Sequence, residues 1–345
     1  MRKAILITVL TALLANCSQK EGDIVEEKVK RFHTDVLLRT TPVKNQGNND
    51  ACWVFAMLAT IESEHLRDGD SVNLSATYLC RHALAEQAQR RYATGATHTI
   101  SLRGMAPMTL DLLQSHGAMP YNSYHKAEEV DYKSLATQLT RLADSSRAHR
   151  KGIAHLNENA GKLFDDALGY APSWVFMLGC QYTPLEFAHS ICQKDEYVAI
   201  TSFTHHPFGE TFALEVPDNQ HSNRFLNLPV DSMMACMEQA LRHGHPVCWE
   251  GDITEPGFSA KRGIGELSTN QPVTQESRQR DFDHFKTTDD HCMEMVGMAH
   301  DDQQRKYFIC KNSWGDNNPY GGFVFLSEAY VKAKTISIVL PRSAL

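Results

Sequence analysis

Four side chains scattered along the sequence have the types needed for thiol-based acyl transfer: Gln46, Cys52, His291 and Asn312. A cysteine reacts as its thiolate, and an ordinary thiol is only a few per cent ionised at neutral pH. A helix N-terminus and a neighbouring imidazole both lower that pKa. Cys52 opens an apolar run (Trp53, Phe55, Ala56, Leu58, Ala59, Ile61, Leu66) that predicts an amphipathic helix over 51–67. Asp50 is the expected N-cap, and Asp68-Gly69-Asp70 the stop. His291 precedes an apolar stretch (Met293, Met295, Val296) and can serve as the base. Asn312 lies 21 residues further on, in Lys311-Asn312-Ser313-Trp314-Gly315. It can accept the other imidazole N–H and fix the ring. Taken alone, a cysteine at a helix start is more often a core residue than a nucleophile.

Further helices are expected at about 75–91 and 108–117, and the polar stretch 133–168 has helical periodicity. From about 195 short apolar runs take over, at 197–200, 246–249, 293–298, 306–311, 322–326 and 335–340. Helices first and strands later predict an α+β protein of two lobes with a cleft between them.

The Gln46-Gly47 stretch, Cys52-Trp53 with its helix, His291 before an apolar strand, and Asn312-Ser313-Trp314-Gly315 stand in order. Together they resemble the papain-like cysteine peptidases. The resemblance implies a two-lobe fold. A helical lobe carries the cysteine helix, and an antiparallel β-barrel-like lobe carries His291 and Asn312. It makes Cys52 the nucleophile, His291 the general base and acid, and Asn312 the orienting residue. Gln46 and the Cys52 N–H become oxyanion donors, and Trp314 a shield over the His–Asn bond. The 239 residues from Cys52 to His291 exceed those of simple papain-like enzymes. With Leu74–Leu79, Tyr182–Phe187 and Trp249–Asp252, they bring the chain nearer to the bleomycin hydrolase and aminopeptidase C branch. In that branch Gly104 and Met105 fall where substrate backbone would lie, and 133–168 reads as a helical insertion.

There are departures. Asp50 and Ala51 stand where the family has glycine and a serine or basic residue, and a carboxylate near the thiol would oppose its ionisation. Asn49 replaces a disulfide cysteine. Only 33 residues follow Asn312, whereas the branch's longer tail returns to the cleft to select free N-termini. The short tail puts aminopeptidase specificity in question, and the reduced insertion does the same for the branch's hexameric cage. Two other readings therefore stay open: a papain-like binding protein with weakened catalysis, and a Cys–His amidase of cell-wall peptides.

Arg2-Lys3 and the apolar run Ala4–Ala15 suit an export signal. Leu14-Ala15-Asn16-Cys17 resembles a lipobox, with Cys17 lipidated, residues 18–30 a tether and 31–345 the peptidase domain. The expected location is a bacterial cell envelope, with membrane contact through the lipid. A formal net charge of −7 carries no footprint for nucleic acid. No C-x-x-C or H-E-x-x-H occurs, and His205-His206 and His243/His245 lack partners at ligand spacing. Neither metal nor organic cofactor is expected. Most of the nine cysteines sit in apolar surroundings and read as small core residues. The partner is a peptide or protein substrate; the sequence leaves its identity and the oligomeric state open.

Overall fold

In the computed structural model, residues 29–95, 98–126, 130–177, 179–269 and 271–345 are described. The expected signal, tether and lipidated Cys17 fall outside them, save residues 29–30. No helix among the described residues is long and apolar enough to cross a membrane.

The first half is helical after a single strand, β1 (Phe32–Leu37): α1 (Cys52–Asp68), α2 (Ala76–Thr94), α3 (Ala106–His116), α4 (Tyr132–Ala148) and α5 (Ile153–Leu168). Next come a small hairpin, β2 (Val175–Met177) and β3 (Cys180–Tyr182), and α6 (Pro184–Ile191). The rest is mostly strand: β4 (Tyr197–Thr201), β5 (Thr211–Ala213), β6 (Arg224–Asn227), α7 (Val230–Arg242), β7 (Val247–Gly251), β8 (Phe258–Ser259) and β9 (Ile264–Gly265). α8 (Gln275–Asp283), β10 (His291–Asp301), β11 (Lys306–Lys311), β12 (Phe323–Ser327), α9 (Glu328–Lys334) and β13 (Thr335–Pro341) complete it. The α+β, two-lobed expectation holds. The helices foreseen at 51–67, 75–91 and 108–117 each form within a few residues of those bounds, and 133–168 becomes α4 and α5.

Ten strands form one path in the order β5-β6-β4-β13-β7-β10-β11-β12-β9-β8. The path is open, and β4/β6 and β12/β9 are parallel while the other pairings are antiparallel, so the lobe is a mostly antiparallel open sheet, compatible with the barrel-like expectation. β10 is its hub. Residues 291–295 pair with β7 and 297–301 with β1, while 294–300 pair with β11 on the other side. Gly297 permits this crossing, since a Cβ there would meet the Val36 carbonyl oxygen at 2.2 Å.

α1 is more than amphipathic. Every residue from Cys52 to Glu64 is buried except Phe55, and the helix is wedged between the other helices and the sheet. Its two buried acids are therefore partnered. Glu62 takes Lys44 Nζ at 2.5 Å, Thr41 Oγ1 at 2.5 Å and Leu74 N at 2.6 Å. Glu64 takes His245 Nδ1, from the turn after α7, at 2.8 Å. Removing Lys44 would strand the Glu62 charge, at about 3–5 kcal/mol. Gly69, in the left-handed region (φ 89°), ends the helix with its N–H on His65 and Leu66 carbonyls. All eight cysteines among the described residues are free, and five besides Cys52 are buried.

Candidate active site

The start of α1 is set by the loop before it. Asn49 Oδ1 accepts the Ala51 N–H at 2.9 Å, and Asn49 Nδ2 donates to the Gln46 carbonyl. This side-chain staple spans the loop in which a disulfide was missing. It also corrects the capping expectation. The N-cap residue is Ala51, and Asp50 makes no cap hydrogen bond and stays exposed. Val54 and Phe55 N–H both go to the Ala51 carbonyl, which leaves the Cys52 N–H without a backbone acceptor among the described residues.

A second staple joins this loop to the one after β11. Gln46 N donates to Ser313 O at 2.8 Å, and Gly315 N to Lys44 O at 3.1 Å. Ser313 Oγ donates to Gln46 Oε1 at 2.6 Å, while Gln46 Nε2 donates to Asn49 O at 2.6 Å. The Gln46 amide is thus held from both ends at the cavity wall, with its second N–H uncommitted.

His291 is the first residue of β10, and Asn312 directly follows β11, its hydrogen-bonded neighbour. Their side chains meet: Nε2 of His291 is 2.8 Å from Oδ1 of Asn312, which also accepts the Ser313 N–H at 2.8 Å. The Trp314 ring lies 4.4 Å from the imidazole, tilted by 31°, over the same pair. The other side of His291 interacts with the Cys52 thiol closely enough to raise the imidazole pKa and lower that of the thiol. Cys52 keeps 9% of its surface exposed and lines a cavity of about 450 Å³, so the sulfur is reachable. The structure therefore brings Cys52, His291, Asn312, Gln46 and Trp314 together.

The two central groups shift in opposite directions. A hydrogen bond from the Cys292 thiol, with His291 beside it, holds the Cys52 pKa well below the usual thiol value against the opposing effect of burial. Burial alone would lower the His291 pKa, but Cys52, Asn312 and Asp290 together outweigh it and leave it raised. The arrangement favours a thiolate–imidazolium pair. Burial pushes the Cys292 thiol well up, so it stays protonated and remains a donor. Sequence reasoning missed Cys292. Its place next to His291 in the chain was the only signal.

Gly104 lines the cavity, and a Cβ there would meet Cε2 of Trp53 at 2.8 Å. The indole N–H is in turn fixed on Leu102 O at 2.7 Å. Met105 does not share this position. It is fully buried in a separate cluster with Phe203, Phe212, Phe225 and Ile336, and is not part of the cavity wall. The chain is extended there (φ −115°, ψ 155°), so neighbouring side chains point to opposite sides.

The far wall is acidic, and sequence reasoning missed it. Asp218, Glu250, Asp289 and Asp290 line the cavity with Asp50, and Arg103 is the one Lys or Arg among the lining residues. Arg103 is committed to Asp218, with Nε 2.8 Å from Oδ1. Burial raises the carboxyls of Asp218, Glu250, Asp289 and the half-buried Asp290; Asp289 and Asp290 reach about 6. The last turn, Arg342–Ala344, is tied to the Glu196 and Asp195 carbonyls and contributes nothing to the lining.

Comparison with known proteins agrees with this geometry. Residues 176–345 match the Peptidase C1-like family. The chain is 25% identical to aminopeptidase E of Lactobacillus helveticus, over 96% of this chain and 90% of that one. It is 22% identical to aminopeptidase G of Lactobacillus delbrueckii subsp. lactis, over 89% and 82%. The crystal structure of PepW from Lactobacillus rhamnosis superposes with a TM-score of 0.68, at 18% identity, over 90% of this chain and 82% of that one. Fold and site together define a cysteine-type peptidase. In sequence and fold the chain is similar to the papain-like superfamily, near its aminopeptidase C branch.

Proposed function

We propose that this chain is a thiol aminopeptidase, exported and held in a cell envelope by lipid on Cys17. The observation that carries the peptidase part is the unbroken contact chain Cys52–His291–Asn312 at the mouth of a cavity. Cys52 attacks the scissile carbonyl, and the imidazolium of His291 protonates the leaving amine. A water activated by neutral His291 then hydrolyses the thioester. Asn312 holds the ring by accepting the Nε2 proton, and Trp314 covers that bond. Gln46 Nε2 and the Cys52 N–H receive the oxyanion. The names of the relatives support cleavage at the amino end, and the basic and apolar leader ending at Cys17 supports the anchor.

The test pairs free-amine with N-blocked fluorogenic dipeptides, with Cys52→Ala as control. Faster release from the free amines supports the aminopeptidase reading, and equal or faster cleavage of blocked peptides makes the enzyme an endopeptidase. Cys17→Ala should move the protein from the membrane fraction to the soluble one.

A further inference from the structure

We propose that the acidic wall beside Cys52 binds an ammonium group of the substrate, held by Asp289 and Glu250. This deepens the peptidase reading and rests on it.

Three observations converge. Asp289 is 7% exposed and Glu250 2%, yet both line the cavity into which the Cys52 sulfur opens. Oδ2 of Asp289 has no hydrogen-bond partner among the described residues, and neither carboxylate makes a salt bridge there; the nearby Arg103 is already bound to Asp218. Among the described residues, the side-chain hydrogen bond to Glu250 comes from Ser337 Oγ, 2.9 Å from Oε2. Buried carboxylates are ordinarily paired, so an orphaned acceptor on a residue that lines a cavity calls for a donor from outside.

The ligand chemistry follows from the wall. A group entering here meets carboxylates on several sides. A carboxylate or phosphate would be repelled, and an apolar side chain would leave Asp289 Oδ2 unpaired. A primary ammonium has three N–H donors and a positive charge, which matches two acceptors, one from a strand and one from the turn before another. In register, Glu250 on β7 lies opposite Cys292 on β10, one residue past His291, and Asp289 is two residues before His291. The ammonium would therefore sit beside the reacting carbonyl. Two sources fit: the free N-terminus of a peptide losing its first residue, or a lysine side chain one residue before the cleaved bond.

Two substrate pairs separate them: alanyl against N-acetyl-alanyl aminomethylcoumarin, and N-acetyl-Lys-Ala against N-acetyl-Leu-Ala aminomethylcoumarin. In the native protein the kcat/KM ratio should favour the ammonium-bearing member of one pair. Asp289→Asn and Glu250→Gln should each cut that ratio by about 10- to 100-fold, and Asp289→Glu should largely retain it. A loss in the first pair identifies the N-terminus, and a loss in the second the lysine. Ratios near one in the native protein, or ratios unchanged in Asp289→Asn, overturn the proposal. Calorimetric binding of alaninamide and lysinamide against their N-acetyl forms reads the site without turnover. Binding that depends on the free amine and on Asp289, in a protein that cleaves nothing, would sink the peptidase reading and leave the site standing. Cleavage without such binding would do the reverse.

Discussion

The two walls of the cavity are built on opposite principles. Around Cys52 nearly every polar group is satisfied within the protein: Asn49 staples the loop, Gln46 is held from both ends, and Asn312 accepts two N–H groups. On the acidic wall, Glu250 and Asp289 make no salt bridge among the described residues, and one oxygen of Asp289 has no partner. A satisfied network fixes atoms in place. An unsatisfied one is tolerated where a ligand completes it. The contrast separates positioning of the reaction from recognition of what reacts.

The harshest way to break the first wall is Cys52→Ala, which should reduce hydrolysis by about 10⁴-fold or more in a steady-state assay. Gln46→Ala should lower kcat by about 10²–10³ if its amide serves the oxyanion, with little change in KM. The second wall should respond in stability instead. A carboxyl raised to about 6 against its usual 3.8 keeps a proton in the fold that the unfolded chain has released. Between those values stability falls as pH rises, and the penalty is complete above about 6. Asp289→Asn should then raise stability at pH 8 by about 1–2 kcal/mol in a urea titration while lowering the preference for ammonium-bearing substrates. That preference should fade in the native protein as pH drops through about 6. The charged groups around Asp289 are Asp218 and Arg103 from their loops, Glu250 from β7, and Asp290 and His291 next to it in the chain. The smallest effect belongs to Asp50→Asn. As an exposed group, Asp50 should change the rate by only about twofold, and a much larger gain would revive the weakened-catalysis reading.

The same contrast governs what the sequence reveals. The first wall is legible because each residue type answers a local need. A thiol lies at a helix start, an imidazole begins an apolar strand, and an amide precedes Ser-Trp-Gly. The second wall is not. Asp218 comes from the β5–β6 loop, Glu250 from the middle of β7 and Asp289 from the turn before β10, and isolated acids carry no spacing signature. Two particular readings also yielded to geometry. Asp50 lost the capping role because Asn49, two residues from the Ala51 N–H, reaches it with its side chain. Met105 left the site because Gly104 occupies the cavity side of an extended segment. The β5–β6 pair and the polar helix α8 escaped notice, being three or four residues long in one case and without an apolar stripe in the other.

The thiolate–imidazolium pair is tested most directly by the pH dependence of iodoacetamide alkylation at Cys52 in the folded protein. The rate should titrate with an inflection well below the ordinary thiol value of about 8.5, and His291→Ala and Cys292→Ala should each move it upward. An inflection at or above that value in the native protein, unmoved by either substitution, would contradict the account.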